Sequence, residues 1–241
     1  MKVWKTVTND ESVRLEELLS DLKPTGPQSV PTRPGLFADE SRWFLAAVDA
    51  RLAEFQECMR GCSRLRRSGV TGSDEFLTPA GGLRHLYSAP GSDNLRLNRE
   101  YIPHIAAYAY AILKAGYRAD RSSFSHYRSF SRDLISKWAG DSYETDAEFH
   151  DVHGQVDLHI EVKTWPEEID RIVAQLDEAA ELRRLPESVV KELEYVLDLR
   201  PRHLWIVGPG TVDPPAHLFR VSVDDTNARF ERLDVLPPGD V

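Results

Sequence analysis

The run from Val156 to Lys163 alternates strictly between apolar and polar residues, and this pattern constrains the fold more than any other stretch. Val156, Leu158, Ile160 and Val162 fall on one face, and Asp157, His159, Glu161 and Lys163 on the other. That is the period-2 signature of a half-buried strand. The preceding run, Glu144 to Asp151, alternates less cleanly, and His153-Gly154 between the two reads as a tight two-residue turn that pairs them antiparallel. Such a turn sets Val152 against Gln155 and, further out, Asp146 directly against Glu161. Residues opposed in such a ladder have Cβ atoms about 4.5–5.5 Å apart. Two carboxylates so placed, with Lys163 two residues along the same face, repel one another unless a cation lies between them. The pairing therefore predicts a metal site.

The 241 residues can bury one sizeable core, or a core with a small appendage. Hydrophobic and charged fractions of 41% and 29% are those of an ordinary soluble globular protein. No apolar run reaches the length of a membrane span and the N-terminus lacks the apolar core of a signal peptide. The expectation is a cytoplasmic protein with no membrane partner. Cys58 and Cys62 are four apart in a predicted helix, a spacing unsuited to a disulfide and too few thiols for a structural zinc site, so they read as incidental.

The net charge of −9 argues against a nucleic-acid partner until its distribution is considered. Residues 60–137 carry 13 Lys+Arg against 6 Asp+Glu, a net of +7, whereas residues 138–241 carry 10 against 23, a net of −13. A basic region beside an acidic, cation-binding one suits an enzyme acting on nucleic acid; a polarised solvated surface would give the same numbers.

The chain divides into three regions. Residues 1–34 read as an arm, with a strand-like start and a helix carrying Val13, Leu15, Leu18 and Leu19, and a proline-rich linker from Lys23 to Pro34. Residues 35–97 read as a helix from about Asp39 to Arg60, the basic cluster Arg64-Leu65-Arg66-Arg67, and an irregular Gly/Ser/Pro-rich stretch. Residues 98–241 read as the core. It opens with a buried helix from Ile102 to Ala115, followed over residues 117–138 by interleaved cations and aromatics, including Arg118, Arg121, Arg128, Arg132 and Lys137. These suit phosphates and base faces, or equally a helix with an aromatic stripe. After the hairpin, Thr164 and Glu167 have capping-box spacing with Pro166 in the first turn, marking a helix through Leu182. A second helix is predicted from Pro186 to Leu199, then an interior strand over His203–Val207 and a last hairpin over 217–223 and 229–235. A strand reached through crossover helices implies a mixed sheet flanked by helices, an α/β fold.

Asp146, fourteen intervening residues and Glu161-Val162-Lys163 resemble the signature of the PD-(D/E)xK nuclease superfamily. The order of elements also matches over roughly residues 98–208. A second acidic-x-Lys triplet, Asp21-Leu22-Lys23, has no hairpin around it and reads as chance. The resemblance implies a restriction-endonuclease-like core of αβββαβ type with an N-terminal helical extension, and a Mg²⁺- or Mn²⁺-dependent nuclease acting on DNA. It implies Asp146, Glu161 and the Val162 carbonyl as metal ligands and Lys163 as the catalytic cation. Thr145 stands where the family pattern has proline. Glu100 resembles an additional acidic ligand on the preceding helix, and Gln175 a glutamine on the following one. Glu148 shares the face of Asp146 and replaces it if the register slips, while Asp151 faces the other way.

His150, His153 and His159 lie across the same hairpin, but His153 belongs to the turn and no cysteine is near, which disfavours zinc. Asp157 reads as solvated near the turn. The competing functional reading is a catalytically silent protein of the same fold, serving as a nucleic-acid-binding or scaffolding subunit with a protein partner or as a homodimer. RNA as substrate is a third.

Overall fold

The computed structural model describes residues 11, 13–15, 17, 38–50, 75–77, 83–85, 87–88, 96–97, 100–129, 142–178, 195–224 and 228–239. The predicted proline-rich linker, Cys58 and Cys62, the basic cluster around Arg66, Arg132, Lys137 and most of the predicted 186–199 helix lie outside these residues. The described elements are α1 (Ala38–Asp49), β1 (Glu75–Leu77), β2 (Leu83–His85), β3 (Tyr87–Ser88), β4 (Arg96–Leu97), α2 (Tyr101–Leu113), β5 (Ser122–Ser129), β6 (Ser142–His150), β7 (Val156–Val162), α3 (Pro166–Glu178), β8 (His203–Val207), β9 (Leu218–Val223) and β10 (Ala228–Leu233). Strands β1 with β2 and β3 with β4 form two short ribbons.

Six strands form one mixed sheet in the order β10-β9-β8-β7-β6-β5, and the α/β class follows. Only the β7–β8 pair is parallel, because α3 and a helical stretch at 195–199 intervene and return the chain in the same direction. Register partners share a face, so Ile160 with Trp205 and Val162 with Val207 point one way, and His159 with Leu204 and Glu161 with Ile206 the other. Helix α2 covers the first face: Ile102, Ile105 and Tyr108 pack with Phe149, Leu158, Ile160 and Trp205. Helix α3 covers the second, placing Ile169, Ile172, Val173 and Leu176 against Leu204, Ile206 and Phe219.

Every residue of β7 is buried, not half of them as the alternation suggested. The strand lies inside a six-stranded sheet with helices on both sides, so its polar face turns toward a second layer instead of water. Asp157 is accordingly buried, not solvated, and lies 3.6 Å from both Arg202 and His203.

The interleaved segment after α2 is an edge strand, β5, whose register with β6 runs from Ser122↔Phe149 to Ser129↔Ser142. Periodicity does not reveal it because Ser-Ser-Phe-Ser-His-Tyr-Arg-Ser offers only a weak apolar alternation.

Helix α1 does not stand apart from the core. Trp43, Phe44 and Ala47 join the cluster around α2, with Trp43 edge-on to Tyr110 at 4.8 Å. Trp43 Nε1 donates to Asp213 at 3.0 Å and the Glu40 carboxylate accepts the Gly210 N–H, so α1 also holds the loop after β8. Residues 11, 13–15 and 17 are helical, with Leu15 buried in the same cluster and Arg14 3.4 Å from Asp49.

Candidate active site

The β6–β7 connection is a five-residue loop, Asp151 to Gln155, not a two-residue turn. Asp151 Oδ1 accepts the N–H groups of His153 (2.8 Å) and Gln155 (2.9 Å), and Gly154 takes the positive φ of 78° that the loop needs. Its other oxygen binds Arg202 at 2.8 Å. The Gln155 N–H, then burial acting in the opposite direction, the His153 N–H and Arg202 together leave the Asp151 carboxyl below its ordinary range.

The longer loop alone would have shifted the register by one. A bulge restores it: His150 pairs with Val156 but Phe149 pairs with Leu158, so β7 contributes one extra residue, Asp157. Beyond it Glu148↔His159 and Ala147↔Ile160 continue in the register predicted from the sequence. Two departures thus cancel, and the ladder runs in the predicted register as far as Ala147↔Ile160. Val156, displaced across the bulge, packs with Tyr195 and Leu199 and leaves the Leu158–Ile160–Val162 face.

Past Ala147 the ladder stops and the Asp146 side chain takes its place, with Oδ2 accepting the Val162 N–H at 2.7 Å. The strand dictates this geometry. The Lys163 N–H donates to Val207 on β8 at 2.8 Å, so the carbonyl of the same trans peptide, that of Val162, points away from β8 toward β6. The end of the hairpin is therefore open on its β6 side, with the Asp146 carboxylate and the Val162 carbonyl both turned into the gap.

Helix α2 fixes the β6 edge of this gap. The Asp146 carbonyl accepts a hydrogen bond from His104 Nε2 at 2.7 Å, and the His104 ring stacks on Phe124 at 3.9 Å. Sequence reading did not select His104; its only signal is a single imidazole in an apolar helix, Tyr101-Ile-Pro-His-Ile-Ala-Ala-Tyr-Ala-Tyr-Ala-Ile-Leu113.

Glu161 is 6% exposed and both its oxygens are engaged: Lys163 Nζ lies 2.6 Å from Oε1, and His159 Nε2 3.5 Å from Oε2. Burial pushes this carboxyl up, but Lys163 and then His159 outweigh it and hold it down at about 2. Asp146 behaves oppositely. Burial first, then the charges of Glu161 and Glu100, push its carboxyl well above the usual range, against the smaller pull of the Val162 N–H and Lys163. The two carboxyls are thus shifted in opposite directions, as expected for like charges confined together.

The same electrostatics place the remaining candidates. Glu100, just before α2, acts on Asp146. Glu148 is fully buried, accepts the Thr145 hydroxyl at 2.6 Å and lies 3.3 Å from His150. Gln175 is half-buried on α3, and its buried Oε1 has no hydrogen-bond partner among the described residues. The three histidines do not converge: His150 faces Glu148 and the Arg121 carbonyl, His153 sits in the loop, and His159 faces Glu161. Among the described residues no set of three or more His, Cys, Asp or Glu side chains is arranged to hold a metal ion. Asp146 and Glu161 are a two-carboxylate site whose further ligands would come from backbone and solvent. Their hard oxygens fit Mg²⁺, which retains several waters and takes one or two protein carboxylates.

Of the predicted cationic strip, Arg118, Arg121 and Arg128 lie among the described residues. Arg118 is locked onto Asp120 at 2.7 and 2.9 Å. Arg121 adjoins His150, four strand residues or roughly 13 Å from Asp146. Arg128 is opposite Tyr143, beyond Asp146 in the other direction.

Gly208, at the end of β8, sets how closely β8, α3 and Lys163 approach. A Cβ there would run into Ile169 Cδ1 and come within 2.9 Å of the Lys163 carbonyl oxygen. Ile169 can turn aside; the Lys163 backbone cannot without moving the catalytic candidate. Gly208→Ala is expected to lower stability by about 1–3 kcal/mol, as overpacking does, and to reduce any activity that depends on Lys163. Thermal unfolding alongside a cleavage assay checks both.

Comparison with known proteins yields no matching family model, no matching curated protein and no matching solved structure. No helix among the described residues is long and apolar enough to cross a membrane.

Proposed function

We propose that this protein is a divalent-metal-dependent nuclease with a restriction-endonuclease-like core, cleaving phosphodiester bonds in DNA. One observation carries the reading: Asp146 and Glu161 are held together at the open end of the β6–β7 hairpin, with Lys163 on Glu161. Holding the half-buried Asp146 near the buried Glu161 costs electrostatic energy, which a shared cation would offset. The order α2-β5-β6-β7-α3-β8 supports the finer fold assignment, being a helix, a three-stranded antiparallel meander, a crossover helix and a parallel strand.

Asp146, Glu161 and the Val162 carbonyl would hold Mg²⁺ or Mn²⁺, which when bound acidifies a coordinated water and offsets charge on the phosphoryl oxygens. The protein's own groups do the rest. As a ligand Asp146 would serve in its ionised form, which burial and Glu161 disfavour and a bound cation would favour. Lys163, a compact ammonium on the rim of the pair, can donate to the attacking water or to a phosphoryl oxygen where negative charge grows. Its present place on Glu161 keeps it within reach of that position. His104 holds the Asp146 backbone still, which fixes the spacing of the ligands.

The test is cleavage of single-stranded DNA, duplex DNA and RNA by the purified protein, with Mg²⁺, Mn²⁺ or EDTA. Metal-dependent cleavage of DNA is expected. Binding of nucleic acid without cleavage under any metal would favour the silent-subunit reading, and cleavage confined to RNA would correct the substrate.

A further inference from the structure

Trp165 is 58% exposed, whereas the other described tryptophans, Trp43 and Trp205, are 8% and 0% exposed. It is the one aromatic among the large apolar side chains left in water by the described residues. It lies two residues beyond Lys163, so their Cα atoms are at most about 7 Å apart. Its backbone is well fixed. Its carbonyl accepts the N–H groups of Glu168 and Ile169 at 3.1 and 3.2 Å, forming the first turn of α3, and Pro166 confines it to extended geometry. The exposed indole belongs to none of the buried clusters.

The charges around it are asymmetric. Lys163 precedes it by two residues in the chain, and Glu167 and Glu168 follow it in the first turn of α3. A phosphate is drawn toward Lys163 and repelled by the two glutamates, whereas the face of a neutral base meets no such penalty. With Cα atoms at most about 7 Å apart, Lys163 and Trp165 are near enough to address a phosphate and a base of one strand.

We propose that Trp165 is a stacking platform for an unpaired nucleobase beside the phosphate addressed by Lys163, which makes single-stranded or frayed nucleic acid the preferred substrate. A base inside an intact duplex is already stacked on both faces and cannot lie on the indole without being extruded. This inference rests on the nuclease reading above and specifies the substrate for that same site.

The experiment measures binding of a fluorescently labelled 12-nucleotide single-stranded DNA by anisotropy in EDTA, and its cleavage kinetics in Mg²⁺ or Mn²⁺. Wild type, Trp165→Ala and Trp165→Phe are compared, with a blunt duplex of the same sequence as the second substrate. Trp165→Ala is expected to weaken single-strand binding and raise KM roughly 10-fold or more, with kcat little changed, and Trp165→Phe to recover most of the loss. A series of oligonucleotides with one abasic position should show one position whose base matters to wild type and not to Trp165→Ala. Equal single-strand affinity and KM for wild type and Trp165→Ala, with wild-type cleavage intact, would overturn the stacking role and leave the nuclease reading standing. Absence of both binding and cleavage in wild type would overturn the two together. Since the side chain is exposed, the variants should fold as wild type does, which thermal unfolding verifies.

Discussion

Lys163→Ala and Glu161→Ala are expected to remove metal-dependent DNA cleavage, the lysine variant by roughly 10²–10³-fold, as for loss of a group aimed at developing charge. Glu161→Ala should lose at least as much, since it removes a ligand and leaves Lys163 and His159 without the carboxylate they now share. Initial rates on the substrate cleaved best by wild type would measure this, with circular dichroism verifying the fold of each variant. Lys163→Arg supplies the control: it keeps the charge but replaces a point ammonium by a planar fork. Residual cleavage by Lys163→Ala equal to that of wild type would dismiss Lys163 as the catalytic cation.

The second large effect is a divergence between stability and activity. Asp146→Asn is expected to abolish cleavage and yet raise stability near pH 7–8 by about 1 kcal/mol, the order gained when a functional compromise is relieved. Asparagine can still accept the Val162 N–H but no longer faces Glu161 and Glu100 as a like charge. The pH dependence has a definite sign. The folded-state carboxyl of Asp146 lies above its unfolded value of about 4. Its contribution is therefore fully present below pH 4 or so and is lost as pH rises through the folded value. The advantage of Asp146→Asn should accordingly grow as pH rises from acid toward neutral. Glu161 has the opposite sign: its folded value of about 2 lies below the unfolded one, so it stabilises at neutral pH and loses this as pH falls toward 2. Glu161→Gln should therefore destabilise where Asp146→Asn stabilises. Thermal melts of the two variants between pH 2 and 8 would show this, with the Asp146→Asn advantage growing above about pH 4 and the Glu161→Gln deficit shrinking as pH falls below about 4; parallel curves would dissolve the coupled pair. Across a domain of this size 1 kcal/mol moves Tm by roughly 2–4 °C, well within measurement.

The site was legible in the sequence to an unusual degree because strand periodicity is exact. Once Val156–Lys163 is read as a strand and the chain reverses near Gly154, parity alone assigns Glu161 and Lys163 to one face and Ile160 and Val162 to the other. The turn was nevertheless misread. Asp151 closes a longer loop through its side chain, a choice invisible to hydropathy, and the bulge at Asp157 compensates in the opposite sense. A local pattern cannot reveal two errors of opposite sign. The edge strand β5 and the anchoring of Asp146 by His104 were hidden for a different reason: each depends on a neighbour distant in sequence.

What the sequence determined by itself is the identity of the strands and helices that bury apolar faces, and the parity placing two acids and a lysine together. Both follow from the fixed geometry of the backbone over a few residues. Only the tertiary structure decided how those acids behave. Burying β7 in the centre of a six-stranded sheet takes the pair out of water, and the end of the ladder at Ala147 frees Asp146 to reach the Val162 N–H. The unequal proton affinities of Asp146 and Glu161 arise there, from desolvation and from His159 and Lys163 at the end of β7 meeting Glu100 at the start of α2. Electrostatic energy depends on distance and dielectric, and neither exists until the chain has folded.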